Sequence, residues 1–449
     1  MSIKIAIIGA GSATFSLSII RDLCLTPGLA DATVSFMDID PARLDAAHAL
    51  AVRYGQKVGS RLKIEKTTDR IAALSGADFI LNAALAAGHH RLRDGWQIGL
   101  KHGYRMGGSL HILHDEAFWI NFYQLKLFDS LIQDVLRVCP DAWYLQIANS
   151  VLSGTTMLGR KYPQAKIVGL CHGYTGVYSI IRQLGLDPAD CHFELPGVNH
   201  FLFLTRLYHK GQDVFPLLDQ WIAEQAPQHW ADGGKSWDLG PAPVDVYKRY
   251  GVFPIGDTST PGGGSWPWWY HTDEATEARW QEDPINWYLK GYFPHLEKNI
   301  AEIRRVSEDP AADPVELVGP EKSHESFIPI MESIALDIPR TFIVNLPNDG
   351  EYVPGVPKDF AVEIPAMVSK LGIQGIRTNP LPRPIIAHIL RDRVAPVEME
   401  LAAYEEGSQK LLLQLVMMDP WTRSLEQAEA FLDEILALPY HEEMRQHYR

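Results

Sequence analysis

Short apolar runs alternate with stretches of helical periodicity over the first third of the chain. Ile3–Ile8 is almost wholly apolar, the pattern of a strand covered on both faces. It runs into Gly9-Ala10-Gly11-Ser12-Ala13-Thr14 and then into an amphipathic helical pattern through about Cys24. Val34–Met37, ending at Asp38, predicts a second strand, and Phe79–Ala83, Trp143–Ile147 and Ile167–Leu170 predict three more with helices between them. This alternation predicts an α/β fold in which residues 1–195 form a Rossmann-type, doubly wound parallel sheet. From Pro196 the pattern changes. A β-rich stretch through Leu207, then helices, long loops and strands at Thr341–Asn345 and Phe360–Ile364, predicts an α+β domain over 196–449. Leu412, Leu415, Val416, Ala430, Phe431 and Ile435 recur at helical spacing, a stripe for the core or for packing between subunits.

Composition narrows the class. At 449 residues the chain exceeds the usual single-domain size. With 55 acidic against 41 basic side chains the surface is net negative, and no Lys/Arg block points to nucleic acid or membrane as a partner. The first apolar run is too short for a signal peptide, and no long uncharged apolar run follows. Cys24, Cys139, Cys171 and Cys191 form no paired framework, so a cytoplasmic, reducing setting is expected.

The candidate chemistry sits at predicted strand ends. Gly9, Gly11 and Ser12 form the turn at which a backbone approaches a pyrophosphate, ahead of a helix N-terminus with free N–H groups. Asp38 stands where a carboxylate accepts from both ribose hydroxyls, which favours NAD over its phosphorylated form. Asn149 follows the Trp143–Ile147 strand, on the nicotinamide side. Cys171 follows a predicted strand and His200 lies at the start of the β-rich stretch; together a thiolate and an imidazole bind a transition metal, whereas separately they are a buried thiol and a core histidine. In Asp245–Asp257, Tyr247 and Tyr250 share a helical face; beside a cation a tyrosine acts as a base, and otherwise both are core residues. The run Pro261–His271, with three glycines and three tryptophans, closes over a ligand or packs against another subunit.

Taken in order, Ile8–Ser12, Gly169–Gly173, Gly197–His200, Asp245–Pro254, Asn345–Gly350 and Val362–Ala366 with Gly372-Ile373 resemble the NAD-dependent glycosidases of glycoside hydrolase family 4. The resemblance implies a route that departs from the usual two-carboxylate scheme. NAD oxidises the sugar at C3, which acidifies the C2 proton, and Mn2+ on the C2 and C3 oxygens stabilises the enediolate. The aglycone leaves by elimination, water adds, and the hydride returns. Carried onto this chain, it implies Cys171 and His200 as metal ligands, Tyr250 as C2 base and Asp245 as a supporting carboxylate. It further implies His172 as a donor to the leaving oxygen and Asn149 as a substrate contact, although Ser150 replaces the usual proline. A homodimer or homotetramer is implied as well.

Cys171-His172-Gly173-Tyr174 resembles the branch that cleaves α-linked uronic acids, an α-galacturonidase or α-glucuronidase, with Gly173 leaving room beside the C5 substituent. Arg105, Lys248 and Arg249 are the cations that could meet a uronate carboxylate. The alternatives are an α-glucosidase or α-galactosidase of the same mechanism, a 2-hydroxy acid dehydrogenase sharing the first domain, and a silent NAD-binding sensor.

Overall fold

Strands β1 (Lys4–Ile8), β2 (Thr33–Met37), β3 (Lys63–Thr67), β4 (Phe79–Asn82), β5 (Trp143–Gln146) and β6 (Lys166–Gly169) run parallel in the spatial order β3-β2-β1-β4-β5-β6. The computed structural model describes residues 3–12, 14–234 and 237–449, so Ala13 of the glycine-rich turn lies outside the described residues. β1 and β4 are buried nearly throughout, which is why each reads as an apolar run and not as an alternation. β3 has no such run. Lys63-Ile64-Glu65-Lys66-Thr67 is the sheet edge, and its charges guard it against further pairing. Strand order reverses between β1 and β4, which opens a cleft at the carboxyl ends of the strands.

The second half extends this same sheet. Its strands are β7 (Cys191–Glu194), β8 (Gly197–Val198), β9 (Phe201–Leu204), β10 (Arg206–His209), β11 (Gln212–Asp213), β12 (Phe253–Ile255), β13 (Arg340–Pro347), β14 (Ala361–Ser369) and β15 (Gly372–Gly375). Among the described residues twelve strands join in one sheet: β12, β9, β8, β14 and β13 continue from β6, and β15 lies on β14. β7, β10 and β11 form a separate small sheet. Antiparallel pairing enters at β13, where Asn345 lies opposite Gly169 of β6. One sheet therefore crosses the boundary expected near residue 195.

Two further expectations resolve into packing. Leu412, Leu415, Val416, Phe431 and Ile435 are buried in this chain's own core with Phe118, Trp119 and Phe122, while Ala430 is exposed. Trp266 is likewise buried, edge-on to Phe201 with ring centroids 4.7 Å apart, and its indole N–H donates to Asp392. Only the glycine end of that loop, at Gly262, reaches the cleft.

The turn after β1 is closely packed. Gly9 has φ of 80°, and a Cβ there would come within 2.5 Å of the Ala84 backbone. Gly9→Ala combines left-handed strain with a backbone clash and should cost about 1–3 kcal/mol, read as a lowered Tm by calorimetry. An unchanged Tm would mean that the turn relaxes freely.

Candidate active site

The cleft narrows to a cavity of about 220 Å³ lined at one end by Ser12 and Thr14 and at the other by Cys171, His200 and Asp257, with Asn149 between them. At the glycine turn, Oδ2 of Asp38 accepts the Gly11 N–H at 2.9 Å and Oδ1 accepts the Asp40 N–H at 3.0 Å. The carboxylate thus tethers the end of β2 to the turn. The helix Ser16–Cys24 that follows has no side-chain cap and no acidic residue in its first turn, which leaves its N-terminus open to an anion.

At the far end three donors converge. Cys171 follows β6, His200 sits between β8 and β9, and Asp257 follows β12. The Cys171 thiol donates to Oδ2 of Asp257 at 3.5 Å, and Nε2 of His200 lies 3.5 Å from the same oxygen. One donor atom from each lies within 4.8 Å of the other two, a spacing suited to a single metal ion. Burial pushes the Cys171 thiol well above its ordinary range and moves His200 below its own. Burial also pushes Asp257 upward, but His200 and His172 outweigh it and hold the carboxylate below its usual value.

Asp257 was not among the residues singled out, although it closes the Asp245–Asp257 segment that was. Its approach explains Gly173: a Cβ there would stand 2.7 Å from Oδ2 of Asp257. The space beside Gly173 is therefore occupied by Asp257. The expectation that Gly173 leaves room for a sugar substituent is corrected accordingly.

His172 stands at the cavity rim, half exposed, with Nδ1 3.8 Å from Glu325. Asn149 lines the cavity, and its amide donates to Oδ2 of Asp115 at 2.8 Å. Asp115 also lines the cavity and had no motif to mark it.

Tyr250 and Asp245 are not brought into this cavity. The helix Pro241–Tyr250 stops at Gly251 in a left-handed cap, and β12 then carries the chain inward to Asp257. The Tyr250 hydroxyl meets Nε2 of His388 at 3.0 Å, and burial raises its pKa. Asp245 accepts from Tyr270 and Arg249, each at 2.6 Å, in a separate surface hollow that also contains Tyr250. The roles expected of Tyr250 as base and Asp245 as metal support would have to be exercised from this separate hollow. Tyr247 bonds Asp219 and is likewise elsewhere. Among the described residues no Lys or Arg lines the cavity. Arg105 donates to the His271 carbonyl, Arg249 pairs with Asp245, and Lys248 is exposed. None of the three is a carboxylate clamp here.

Co2+ added to the reduced protein should produce a thiolate-to-metal absorption band in the wild type and in Tyr250→Phe, but none in Cys171→Ser. Asp257→Asn should weaken Co2+ binding by about tenfold or more. An unaltered titration for Asp257→Asn would remove Asp257 from the ligand set.

Two family models together span most of the chain: family 4 glycosyl hydrolase over residues 4–186 and the family 4 glycosyl hydrolase C-terminal domain over residues 195–422. The chain is 25% identical to an alpha-glucosidase of Erwinia rhapontici, covering 93% of this chain and 94% of that one. It is 23% identical to an alpha-galacturonidase of Thermoanaerobacter italicus, covering 95% and 94%. Its fold matches a 6-phospho-alpha-glucosidase from gut microorganisms, solved with NAD and Mn2+, at a TM-score of 0.79 and 18% identity over 98% of each chain. By its sequence over both halves, and by a cleft built from the ends of β1, β4, β5 and β6, the chain belongs to glycoside hydrolase family 4.

Proposed function

We propose that the chain hydrolyses α-glycosides of unphosphorylated sugars, using NAD and a divalent cation, Mn2+, as resident cofactors, and that its sugar is an α-linked uronic acid. The observation that carries this is the convergence of Cys171, His200 and Asp257 in one cavity with the glycine turn of β1. Both cofactors suit the residues present. Around Gly9 the backbone is so close-packed that a side chain would fill the cradle, and the adjoining helix N-terminus is uncapped. A half-buried thiol, a buried imidazole and a half-buried carboxyl group form a donor set for a transition metal.

When bound, these groups supply a hydride acceptor and a Lewis acid for neighbouring sugar oxygens. The chain's own side chains divide the proton chemistry. Asp257, held ionised at the cavity floor, is the acceptor for a proton on the sugar carbon beside the oxidised position, the role expected of Tyr250. His172, at the open rim, is placed to protonate the departing oxygen, with Glu325 beside it. Asn149, held by Asp115, is placed to orient a sugar hydroxyl.

The absence of Lys and Arg from the described lining disfavours a phosphate dianion. A uronic acid is supported by Cys171-His172-Gly173-Tyr174 and by the alpha-galacturonidases among the relatives. A second reading, a neutral glucoside or galactoside, is favoured by that same lining, which holds carboxyl groups but no Lys or Arg among the described residues, and by the occupied space beside Gly173. The four cysteines are free, which supports a reducing, cytoplasmic setting, and no described helix is long and apolar enough to cross a membrane.

The test is release of p-nitrophenol from the α-D-galacturonide, α-D-glucuronide, α-D-glucoside and α-D-galactoside, with NAD+, Mn2+ and a thiol reductant each omitted in turn. Release should require all three, leave no net NADH and favour a uronide. A preference for a neutral hexoside would keep the mechanism and replace the sugar. NADH accumulating in step with product would overturn the hydrolytic cycle.

A further inference from the structure

Glu116 is 1% exposed, and among the described residues neither of its carboxyl oxygens has a hydrogen-bond partner. Buried carboxyl groups are ordinarily paired, so an unpartnered one needs a reason. Its Oε1 lies 3.4 Å from Nδ1 of His200, a nitrogen that also lacks a hydrogen-bond partner. The other ring nitrogen, Nε2, faces Asp257 at 3.5 Å. His200 therefore stands between two carboxyl groups, with one nitrogen turned toward the Cys171–Asp257 cluster and the other toward Glu116.

The chain around Glu116 is held in place. Its backbone N–H donates to Nδ1 of His114 at 3.2 Å, and Nε2 of His114 meets the Gly262 carbonyl at 2.8 Å. The His114 ring is also edge-on to His200, with centroids 5.6 Å apart, so it limits rotation of that imidazole. Arg393, wholly buried and bonded to the carbonyls of Gly108 and Gly263, adds a positive charge to this acidic interior.

We propose that Glu116 is a positioning residue that accepts the Nδ1–H of His200, fixing the tautomer in which Nε2 is bare and aimed at the cation. This rests on the assignment of Cys171, His200 and Asp257 as the cation's ligands. With the proton on Nε2 the ring would present an N–H where a lone pair is needed. Burial drives the Glu116 carboxyl well above the usual range. Both its ionised and its neutral form offer an acceptor oxygen, so the arrangement does not depend on its titration. Glu116 does not line the cavity, so it acts through His200.

The test uses the full-length, metal-free, reduced protein, with Mn2+ binding followed by loss of the free-ion EPR signal. Glu116→Met, close in size but without an acceptor, should weaken Mn2+ binding by about 10- to 100-fold, with Tm and NAD+ affinity unchanged. Glu116→Gln keeps a carbonyl acceptor and should recover most of that loss, whereas a role in packing alone would make the two variants alike. In a His200→Ala background Glu116→Met should make no further difference. Mn2+ affinity within about twofold of wild type for Glu116→Met, or an equal loss in the His200→Ala background, would overturn the proposal. Should Glu116→Met not fold, 15N-histidine NMR of the wild type decides: Nδ1 protonated on the His200 signal supports the proposal, and Nε2 protonated overturns it. Failure of the ligand assignment looks different, because Cys171→Ser and His200→Ala would then bind Mn2+ as tightly as wild type.

Discussion

One row of residues across the sheet sets the geometry of everything above it. Gly169 of β6 lies opposite Asn345 of β13, Asn345 opposite Glu363 of β14, and Glu363 opposite Gly197 of β8. This seam is where the parallel half of the sheet meets the antiparallel half. Cys171 stands two residues beyond one end of the row and His200 three residues beyond the other, so the row fixes the gap that the two must span. A slip of one residue in β13 or β14 would turn the side chains to the opposite face and part the donors. The polar residues in the row tie it from within: Asn199, beside His200, donates to Glu363 at 3.0 Å. Burial pushes the Glu363 carboxyl up to about 7, so near neutrality it is poised between acceptor and donor at little electrostatic cost.

Above the seam the site solves a charge problem. Glu116 and Glu400 are almost wholly buried, Asp115 and Asp257 are mostly so, and among the described residues the guanidinium of Arg393 is buried with them. Desolvation drives Glu116 toward its neutral form and lowers Arg393 to about 10. Glu400 is satisfied differently, by the Asn121 amide and the Ser153 hydroxyl. Asp257, whose carboxyl is held below its usual range, is the one facing the thiol and the imidazole. An interior short of cations, with its ionised acid placed among soft donors, is matched to a divalent ion that would restore the balance.

The sequence made the first half of this arrangement readable because fully covered parallel strands are apolar runs and the glycine turn has a fixed place after the first of them. Five of the six parallel strands follow from that logic; β3, an edge strand with charged residues, does not. Cys171, His172 and Asn149 follow predicted strands, where chemistry in such sheets gathers, but the roles expected of them and of His200 came from the family resemblance and not from the pattern. Asp115, Glu116 and Asp257 were not legible. Asp115 and Glu116 precede a long helix with no strand to announce them, and Asp257 lies beyond a three-residue strand. Tyr250 is a related case. Helical spacing showed which residues share a face but not that Gly251 ends the helix and turns the chain, leaving the tyrosine outside.

The relation between Gly173 and Asp257 changes how substrate choice should be reasoned about. A glycine after Cys171-His172 invites the inference that empty space is kept for the sugar. Here the missing side chain admits a carboxylate to within 2.7 Å of where a Cβ would be. A larger residue at 173 would first displace Asp257, and with it the position of the ionised acid relative to Cys171 and His200. Its effect would fall on cation binding and proton transfer before it fell on the fit of a C5 substituent. A correlation between this residue and the sugar cleaved can therefore run through the acid's position, and recognition of a uronate must come from groups on the cavity wall. Among these, the hydroxyl of Thr260 donates to Asp257, and the ring of His89 lies in the field of Arg43 and Arg93. The choice between a uronide and a hexoside would then turn on these side chains and on the charges behind them.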